Sequence, residues 1–143
     1  AGDDRMAELD PFRSGFYREA RAEAVARGRV LAWLRSGSGF AAPLGLGGLS
    51  LRHMAPSTTF AAFGVRHLDV SDNRLQVLGP ILLLRSLEEL RAPRNQLTGD
   101  VCETFALPRL HLVDVSDNSM EVKSATVAPP PALRDVDVSG NAP

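Results

Sequence analysis

One short phrase recurs along this chain at an almost constant interval, and the recurrence restricts the fold more than any other feature. Each copy closes on an asparagine, and the spacings between them are 22, 23 and 23 residues, from Asn73 through Asn95 and Asn118 to Asn141. The positions eight, five and three residues before each asparagine are small or medium apolar residues. The shared pattern is LxxLxLxxN. Self-similarity at a fixed period of about 20–50 residues is typical of proteins built by stacking one unit on the next.

The alternation inside each phrase predicts a short strand with one buried face. In the copy that ends at Asn73, Leu68 and Val70 alternate with polar residues. No single copy can bury its own apolar face, so the copies must stack with parallel strands around a shared core. The asparagine is then an interior residue, and its amide is expected to bond backbone groups at the turn out of the strand.

The segments between the asparagines carry a second apolar pattern. After Asn73 every third residue is apolar, in Leu75, Leu78, Ile81, Leu84, Leu87 and Leu90. A further copy lies upstream at 44–51, where Leu49 stands in the asparagine position. We expect this first unit to be atypical, as terminal units of repeat proteins usually are.

The phrase resembles the leucine-rich repeat, whose units of about 20–29 residues each contain one short strand. The resemblance covers roughly residues 44–141, and the three-residue step is similar to the short intracellular subclass with units of about 22 residues. It implies an α/β fold: a right-handed leucine-rich-repeat solenoid with a curved parallel sheet and an N-terminal helical cap. It also implies a non-catalytic scaffold or adaptor that binds a partner protein through the concave face.

The pattern divides the chain into three segments. Residues 1–13 are polar without a clear period, and we expect them to be flexible. Residues 14–37 show helical periodicity, with Ser14 as N-cap and Gly37 as the stop, and residues 38–143 hold about four to five repeat units. The predicted apolar face of the helix contains Phe16, Ala20, Ala24, Leu31 and Leu34, with Trp33 beside it.

The helix is expected to cover the first apolar edge of the stacked units. Its many arginines leave binding to an anionic membrane as an alternative, which Glu19 and Glu23 weaken. Gly28 is a point at which the segment could divide into two helices.

The chain stops directly after a complete strand phrase, at "SGNAP". We favour a fragment of a longer array over an edge covered by a partner. An open edge would also permit self-association or assembly into a scaffold.

The polar positions of the strands point away from the core and define the candidate contact surface. One row across the strands reads Asp69, Arg91, Asp114 and Asp137, in which Arg91 can pair with either aspartate beside it. The adjacent like charges of Asp114 and Asp137 favour a basic segment on the partner. The alternative is that these polar residues only contribute solubility. The predicted surface contains His67, Asp69, Ser71, Glu89, Arg91, Leu112, Asp114, Ser116, Asp135 and Asp137.

Composition argues against several other classes of function. The formal net charge of −1 does not favour non-specific binding of nucleic acid. No apolar run approaches the length of about 20 residues that a membrane span requires. Cys102 is the single cysteine, so an intrachain disulfide is impossible, and an intracellular location, cytoplasmic or cytoskeletal, fits best.

The sequence predicts no catalytic, metal or cofactor site. His67, Asp69 and Ser71 share one strand face, but alternate residues about 6.6 Å apart do not form a catalytic triad. His53, His67 and His111 with Cys102 show no zinc-ligand spacing, and no phosphate-binding loop is present.

A second resemblance gives a function of another class. Secreted bacterial ubiquitin ligases are similar in their helical cap, in an opening unit like "LGLGGLSL" and in a repeat sequence like "LEELRAPRNQL". This implies a substrate-recognition part of a larger enzyme. The chain departs from that pattern because it lacks the Leu-Pro pair after each asparagine.

Overall fold

The structure is a computed structural model and describes residues 15–37, 39–123 and 127–141 of the 143-residue chain. The predicted flexible segment 1–13 and the candidate N-cap Ser14 lie outside the described residues. The helices and strands, in chain order, are α1 (Gly15–Arg35), β1 (Leu44–Gly45), α2 (Pro56–Ala61), β2 (His67–Asp69), β3 (Glu89–Arg91), β4 (Thr98–Asp100), β5 (Leu112–Asp114), β6 (Ser119–Glu121) and β7 (Asp135–Asp137). Between these elements, 3₁₀ helices span Gly39–Ala41, Gly79–Leu83 and Val101–Ala106.

The repeated phrases supply neighbouring strands of one sheet. β1, β2, β3, β5 and β7 lie side by side in that order, and each pair is parallel. The register aligns the same position of every phrase, namely Leu44, Leu68, Leu90, Val113 and Val136. The first four are buried, whereas Val136 on the outer strand is 44% exposed. The predicted parallel sheet and N-terminal helix are therefore confirmed.

The segment between β2 and β3 carries the three-residue apolar step. Leu75, Leu78, Ile81, Leu84 and Leu87 are all buried, and the middle of this run forms the 3₁₀ helix Gly79–Leu83. A 3₁₀ helix has three residues per turn, so a side chain at every third position lies on the same face. Each of these side chains contributes about 1.5–3 kcal/mol by its burial.

A small second sheet was not predicted from the sequence. β4 pairs with β6 in parallel, with Thr98 opposite Ser119. The three-residue step breaks at this point in the chain, and Asp100 Oδ1 instead accepts a hydrogen bond of 2.9 Å from the amide of Cys102 at the start of a 3₁₀ helix. Strands of three largely exposed residues leave no alternating apolar pattern to detect.

The asparagine side chains join each unit to the one before it. Asn73 Oδ1 accepts from the amides of Leu49 (3.1 Å) and Leu51 (2.9 Å). Its Nδ2 donates to the carbonyls of Leu46 (2.9 Å) and Val70 (2.9 Å). One amide thus satisfies backbone groups from two successive units at the point where the chain leaves the strand.

The same arrangement recurs along the sheet. Asn118 is 8% exposed; it accepts from the amide of Leu97 (3.0 Å) and donates to the carbonyls of Ala92 (3.0 Å) and Val115 (2.9 Å). Asn95 and Asn141 bond in the same way. The recurrence places a hydrogen-bonded asparagine at the same point of every unit after the first, buried at Asn73 and Asn118 and partly exposed at Asn95 and Asn141.

Helix α1 is continuous through Gly28, and its buried face differs from the predicted one. Ala22, Ala26, Val30 and Trp33 face the core. The predicted face was wrong: Ala20, Ala24, Leu31 and Leu34 are exposed, and the side chain of Phe16 lies outside the described part. Small alanines allow the helix to approach the repeats closely, and their weak hydrophobic signal is hidden beside the larger leucines.

Specific contacts fix α1 against the first unit. Trp33 Nε1 donates to the carbonyl of Ala42 at 2.7 Å, and the indole lies 5.6 Å from the Phe40 ring. The helix ends at Arg35, followed by Gly37 in the left-handed region at φ 74°, as the predicted stop requires. The buried side of α1 packs on the core, while Val25, Leu31 and Leu34 are exposed. No described helix combines the length and hydropathy needed to cross a bilayer.

The revised helix face can be tested with two adjacent residues. Val30→Ala should lower the free energy of unfolding by about 1–3 kcal/mol, because it removes buried methyl groups and leaves a cavity. Leu31→Ala is the matched control: Leu31 is 46% exposed, and its loss should change stability by about 0.5 kcal/mol or less. Urea denaturation followed by circular dichroism measures both, and a greater loss for Leu31→Ala would contradict the observed packing.

Asn118→Ala should lower the free energy of unfolding by about 1–3 kcal/mol, because backbone groups of Ala92, Leu97 and Val115 lose their partner. Asn118→Asp should be no milder, since a carboxylate cannot donate to the carbonyls. Ser119→Ala changes an exposed neighbour and should alter stability by about 0.5 kcal/mol or less. Equal melting temperatures for Asn118→Ala and Ser119→Ala would refute the structural role of the amide.

Candidate partner-binding surfaces

The outward side chains of β2, β3, β5 and β7 form a continuous surface, here called the sheet face. The register places the predicted residues in rows across the strands. The first row contains His67, Glu89, Leu112 and Asp135, and the second contains Asp69, Arg91, Asp114 and Asp137. All of these side chains are at least partly exposed, so the structure brings the predicted contact residues together on one surface.

Arg91 does not adopt the pairing predicted from the row. Its Nη2 lies 3.8 Å from Glu89 Oε2, on the same strand, and that is its ion pair among the described residues. The aspartates on either side are already engaged: Asp69 Oδ1 accepts from the amide of Ser71 at 2.8 Å, and Asp114 Oδ1 accepts from the amide of Ser116 at 3.0 Å. A local bond to a backbone amide fixes a short side chain at little entropic cost, and the second oxygen of each carboxylate can still accept from another donor.

Hydrogen bonds in the turns after β5 and β7 fix the two aspartates at the acidic end of the second row, Asp114 and Asp137. Asp137 Oδ1 accepts from Ser139 Oγ at 2.6 Å and from the Ser139 amide at 3.0 Å. Asp114 Oδ1 likewise accepts from Ser116 Oγ at 2.7 Å. The bonds from Ser139 lower the pKa of Asp137, because they stabilise its ionised form. Ser116 itself is buried, so it supports Asp114 and is not a contact residue.

A hydrogen bond between neighbouring strands links two residues of the first row. His67 Nδ1 lies 2.9 Å from Glu89 Oε2. His67 is thus directed at the next strand, and Asp69 is bonded to the Ser71 amide, so these contacts do not link a nucleophile to a base and an acid. Among the described residues, no group of three or more His, Cys, Asp or Glu side chains is placed to hold a metal ion.

Leu112 is a partly exposed apolar side chain of the sheet face. Pro93, two residues after Arg91 in β3, is an apolar residue of the neighbouring unit but is buried. The apolar contribution of this surface therefore comes from Leu112, beside the acidic row.

A bidentate ion pair at the end of the strands was missed from the sequence. Arg94 Nε lies 2.6 Å from Asp72 Oδ1, and Arg94 Nη2 lies 3.0 Å from Asp72 Oδ2. Both residues immediately precede an asparagine and are left-handed, with φ of 54° for Asp72 and 55° for Arg94. The hydrogen bond from Arg94, with its charge, lowers the pKa of Asp72, and Asp72 raises the pKa of Arg94. The sequence signal that could have identified this ion pair is the opposite charge of Asp72 and Arg94, one repeat apart.

Of the depressions that lie outside the sheet face in the described part of the chain, two have distinctive linings. One, of about 360 Å³, lies between α1 and residues 48–52 and is rich in arginine. The other, of about 400 Å³, lies between α2 and the 3₁₀ helix Gly79–Leu83 and is lined by Pro56, Thr59, Phe60, Phe63, Pro80, Leu83 and Leu84. Phe60 is 82% exposed there, which is unusual for a phenylalanine. Both depressions depend on segments brought together by the fold, and the repeat phrase carries no signal for them.

No protein-family model matches the chain. The comparison with curated proteins also gives no significant match. Among solved structures, the chain is similar to an internalin C2 from Listeria monocytogenes strain 4b F2365, with 24% sequence identity and a TM-score of 0.49. The similarity covers 64% of this chain and 44% of the internalin, so the chain spans less than half of that protein's length.

The electrostatics of the two aspartates can be measured separately. In a carboxyl-carbon NMR titration, Asp72 and Asp137 should both titrate below the ordinary aspartate pKa of about 3.9. Arg94→Ala should raise the pKa of Asp72 towards that value and leave the pKa of Asp137 unchanged, since different partners lower the two values. An Asp72 titration unaffected by Arg94→Ala would show that the ion pair does not form in solution.

The sign of the linked stability effect follows from these depressed values. Each carboxylate stabilises the folded chain above the unfolded pKa of about 3.9, and the contribution is lost as the pH falls through the lower folded pKa.

Proposed function

We propose that this chain is a leucine-rich-repeat solenoid of the short-unit class, acting as a non-catalytic module that binds a partner protein through the sheet face. Support comes from parallel strands in matching register, an asparagine amide at the same place in successive units and a helix packed on the first unit. The single composition-based clue to location, one cysteine in 143 residues, favours an intracellular scaffold or adaptor.

The observation that carries the proposed mode of binding is the acidic end of the second row. Asp114 and Asp137 are opposite each other in the register of β5 and β7, and neighbouring strands are about 4.8 Å apart. Among the described residues Arg91 forms an ion pair with Glu89 and none with Asp114. A guanidinium or ammonium group of a partner can contact both carboxylates and remove their mutual repulsion.

Leu112 adds an apolar contact to this site. It precedes Asp114 by two residues on β5, so both side chains point to the same face of the sheet. The alkyl stem of an arginine or lysine can pack on Leu112 while the charged group reaches the aspartates. The proposed partner is therefore a protein segment in which a basic residue is displayed on an exposed strand or loop.

The test removes charge and preserves the local turns. Asp114→Asn with Asp137→Asn keeps an Oδ1 acceptor for the amides of Ser116 and Ser139, whereas alanine would remove it. We expect the double variant to bind a fluorescent dodecapeptide containing arginine and lysine at least about tenfold more weakly, equivalent to about 1.4 kcal/mol. Fluorescence anisotropy measures the affinity, and thermal unfolding verifies the fold.

The control makes the same charge change elsewhere. Glu103 and Glu121 lie in a 3₁₀ helix and in β6, outside the five-stranded sheet, and both are exposed. Glu103→Gln with Glu121→Gln should alter the peptide affinity by less than about twofold, since exposed charges beyond a Debye length of about 8 Å are screened. Equal affinities for the two double variants would overturn the assignment of the sheet face.

A further inference from the structure

The arginine-rich depression lies at the junction of α1 and the first repeat unit, away from the residues of the sheet face. Its walls come from one side of the helix, from the turn after β1 and from the segment after Asn73. The basic residues that line it are Arg18, Arg21, Arg52 and Arg74, and Glu19 is the one acidic residue among its lining residues. We call this depression the arginine groove.

Of the acidic residues of α1, Glu19 neutralises one of the four arginines of the groove. Glu19 Oε1 lies 3.1 Å from Arg52 Nη1, and Glu23 Oε1 lies 3.1 Å from His53 Nε2. Both glutamates therefore join the helix to the chain after β1. Among the described residues, Arg18, Arg21 and Arg74 form no ion pair, so three cationic groups of the groove remain available to a ligand.

The lining of the groove also has an apolar part. It consists of Ala22, Val25 and Leu49, with Val25 exposed and Leu49 partly buried. A volume of about 360 Å³ is large enough for one or two side chains of a peptide. The site thus combines a small apolar surface with surrounding positive charge.

We propose that the arginine groove binds an acidic segment of a partner protein in which an apolar side chain is flanked by aspartates or glutamates. The apolar side chain contacts Val25 and Leu49, and the carboxylates on either side bond the guanidinium groups of Arg18, Arg21 and Arg74. Arginine forms bidentate bonds with carboxylates, which makes such recognition geometrically specific.

The shape and chemistry of the groove favour this ligand over other anions. A phosphate backbone gains nothing from the apolar lining, and a flat bilayer surface does not enter a depression. The buried side of α1, with Ala26 and Val30, packs on the core and cannot insert into lipid. This surface is separate from the sheet face and would recognise a segment of the opposite charge.

The decisive experiment compares three arginine substitutions with three matched controls in the complete chain. Arg18→Gln, Arg21→Gln and Arg74→Gln together should weaken binding of a fluorescent decapeptide with one leucine among glutamates by at least tenfold. Arg27→Gln, Arg35→Gln and Arg85→Gln remove the same charge from exposed residues outside the groove, and the affinity should change less than threefold. Equal weakening by both triple variants would overturn the site.

A second pair of variants tests the apolar contact. Val25→Ser should weaken binding of the leucine peptide by about fivefold or more, and should not affect a peptide in which serine replaces the leucine. Leu31→Ser, at an exposed position outside the groove, should have no effect on either peptide. Identical affinities of the wild-type chain for the two peptides would refute the apolar part of the proposal.

The remaining ligand classes are tested with the same protein. Anionic phosphatidylserine vesicles and a single-stranded oligonucleotide of the same charge as the decapeptide should bind at least tenfold more weakly than the leucine peptide. Tighter binding of either probe would overturn the assignment to an acidic protein segment. Light scattering should give a concentration-independent monomer; a dimer that the groove triple variant abolishes would show that the groove is occupied by a second copy instead.

Discussion

The structure depends on a buried side-chain amide that completes the hydrogen bonding of the strand ends. Where the chain leaves a strand, backbone amides and carbonyls are directed into the interior and cannot reach water. Asn73 provides one acceptor for the amides of the preceding unit and donors for carbonyls of both units. A unit's turn is therefore satisfied only when the next unit is stacked on it. This requirement couples adjacent units, and it explains why the asparagine recurs while many surface residues between its copies differ.

The interior arrangement leaves the outward positions free to acquire a separate chemistry. Apolar residues and asparagine fix the register, and the aspartates of the sheet face are then held by amides of their own turns. A carboxylate that is already oriented loses less conformational entropy when a ligand binds. The same repeated phrase thus stabilises the fold through its apolar residues and asparagine, and it orders the outer surface through its aspartates. Arg91 forms its ion pair with Glu89 of the same strand, with 3.8 Å between Nη2 and Oε2.

The fold was predictable from the sequence wherever the period decides the geometry. Equal offsets from each asparagine gave the parallel strands, and the three-residue step from Leu75 to Leu87 identified side chains that are all buried. The helix face was not predictable in this way, because alanines at 22 and 26 have little hydrophobic contrast and the leucines at 31 and 34 are exposed. Tertiary contact with the first unit, including the bond from Trp33 to Ala42, selects the face.

The candidate sites were likewise predictable from the sequence only in part. Residues of the sheet face could be enumerated from alternation alone, but their partners could not, since the preference of Asp114 for the Ser116 amide is a competition between neighbouring groups. The arginine groove was inaccessible to sequence reasoning because Arg18 and Arg74 are 56 positions apart and meet only after α1 packs on the first unit. The two glutamates that seemed to dilute the basic character of α1 are engaged with Arg52 and His53.

A net charge of −1 consequently says little about how this chain meets other molecules. The charge is separated into an acidic row on the sheet and a basic groove beside the helix. At physiological ionic strength the Debye length is about 8 Å, so a partner experiences the local groups and not the total. Low net charge argues against non-specific attraction of polyanions, and it is fully compatible with selective recognition of a short charged segment at either surface. In the two proposed modes of binding, selectivity arises from the apolar residues that accompany the charge: Leu112 beside the aspartates, and Val25 with Leu49 beside the arginines.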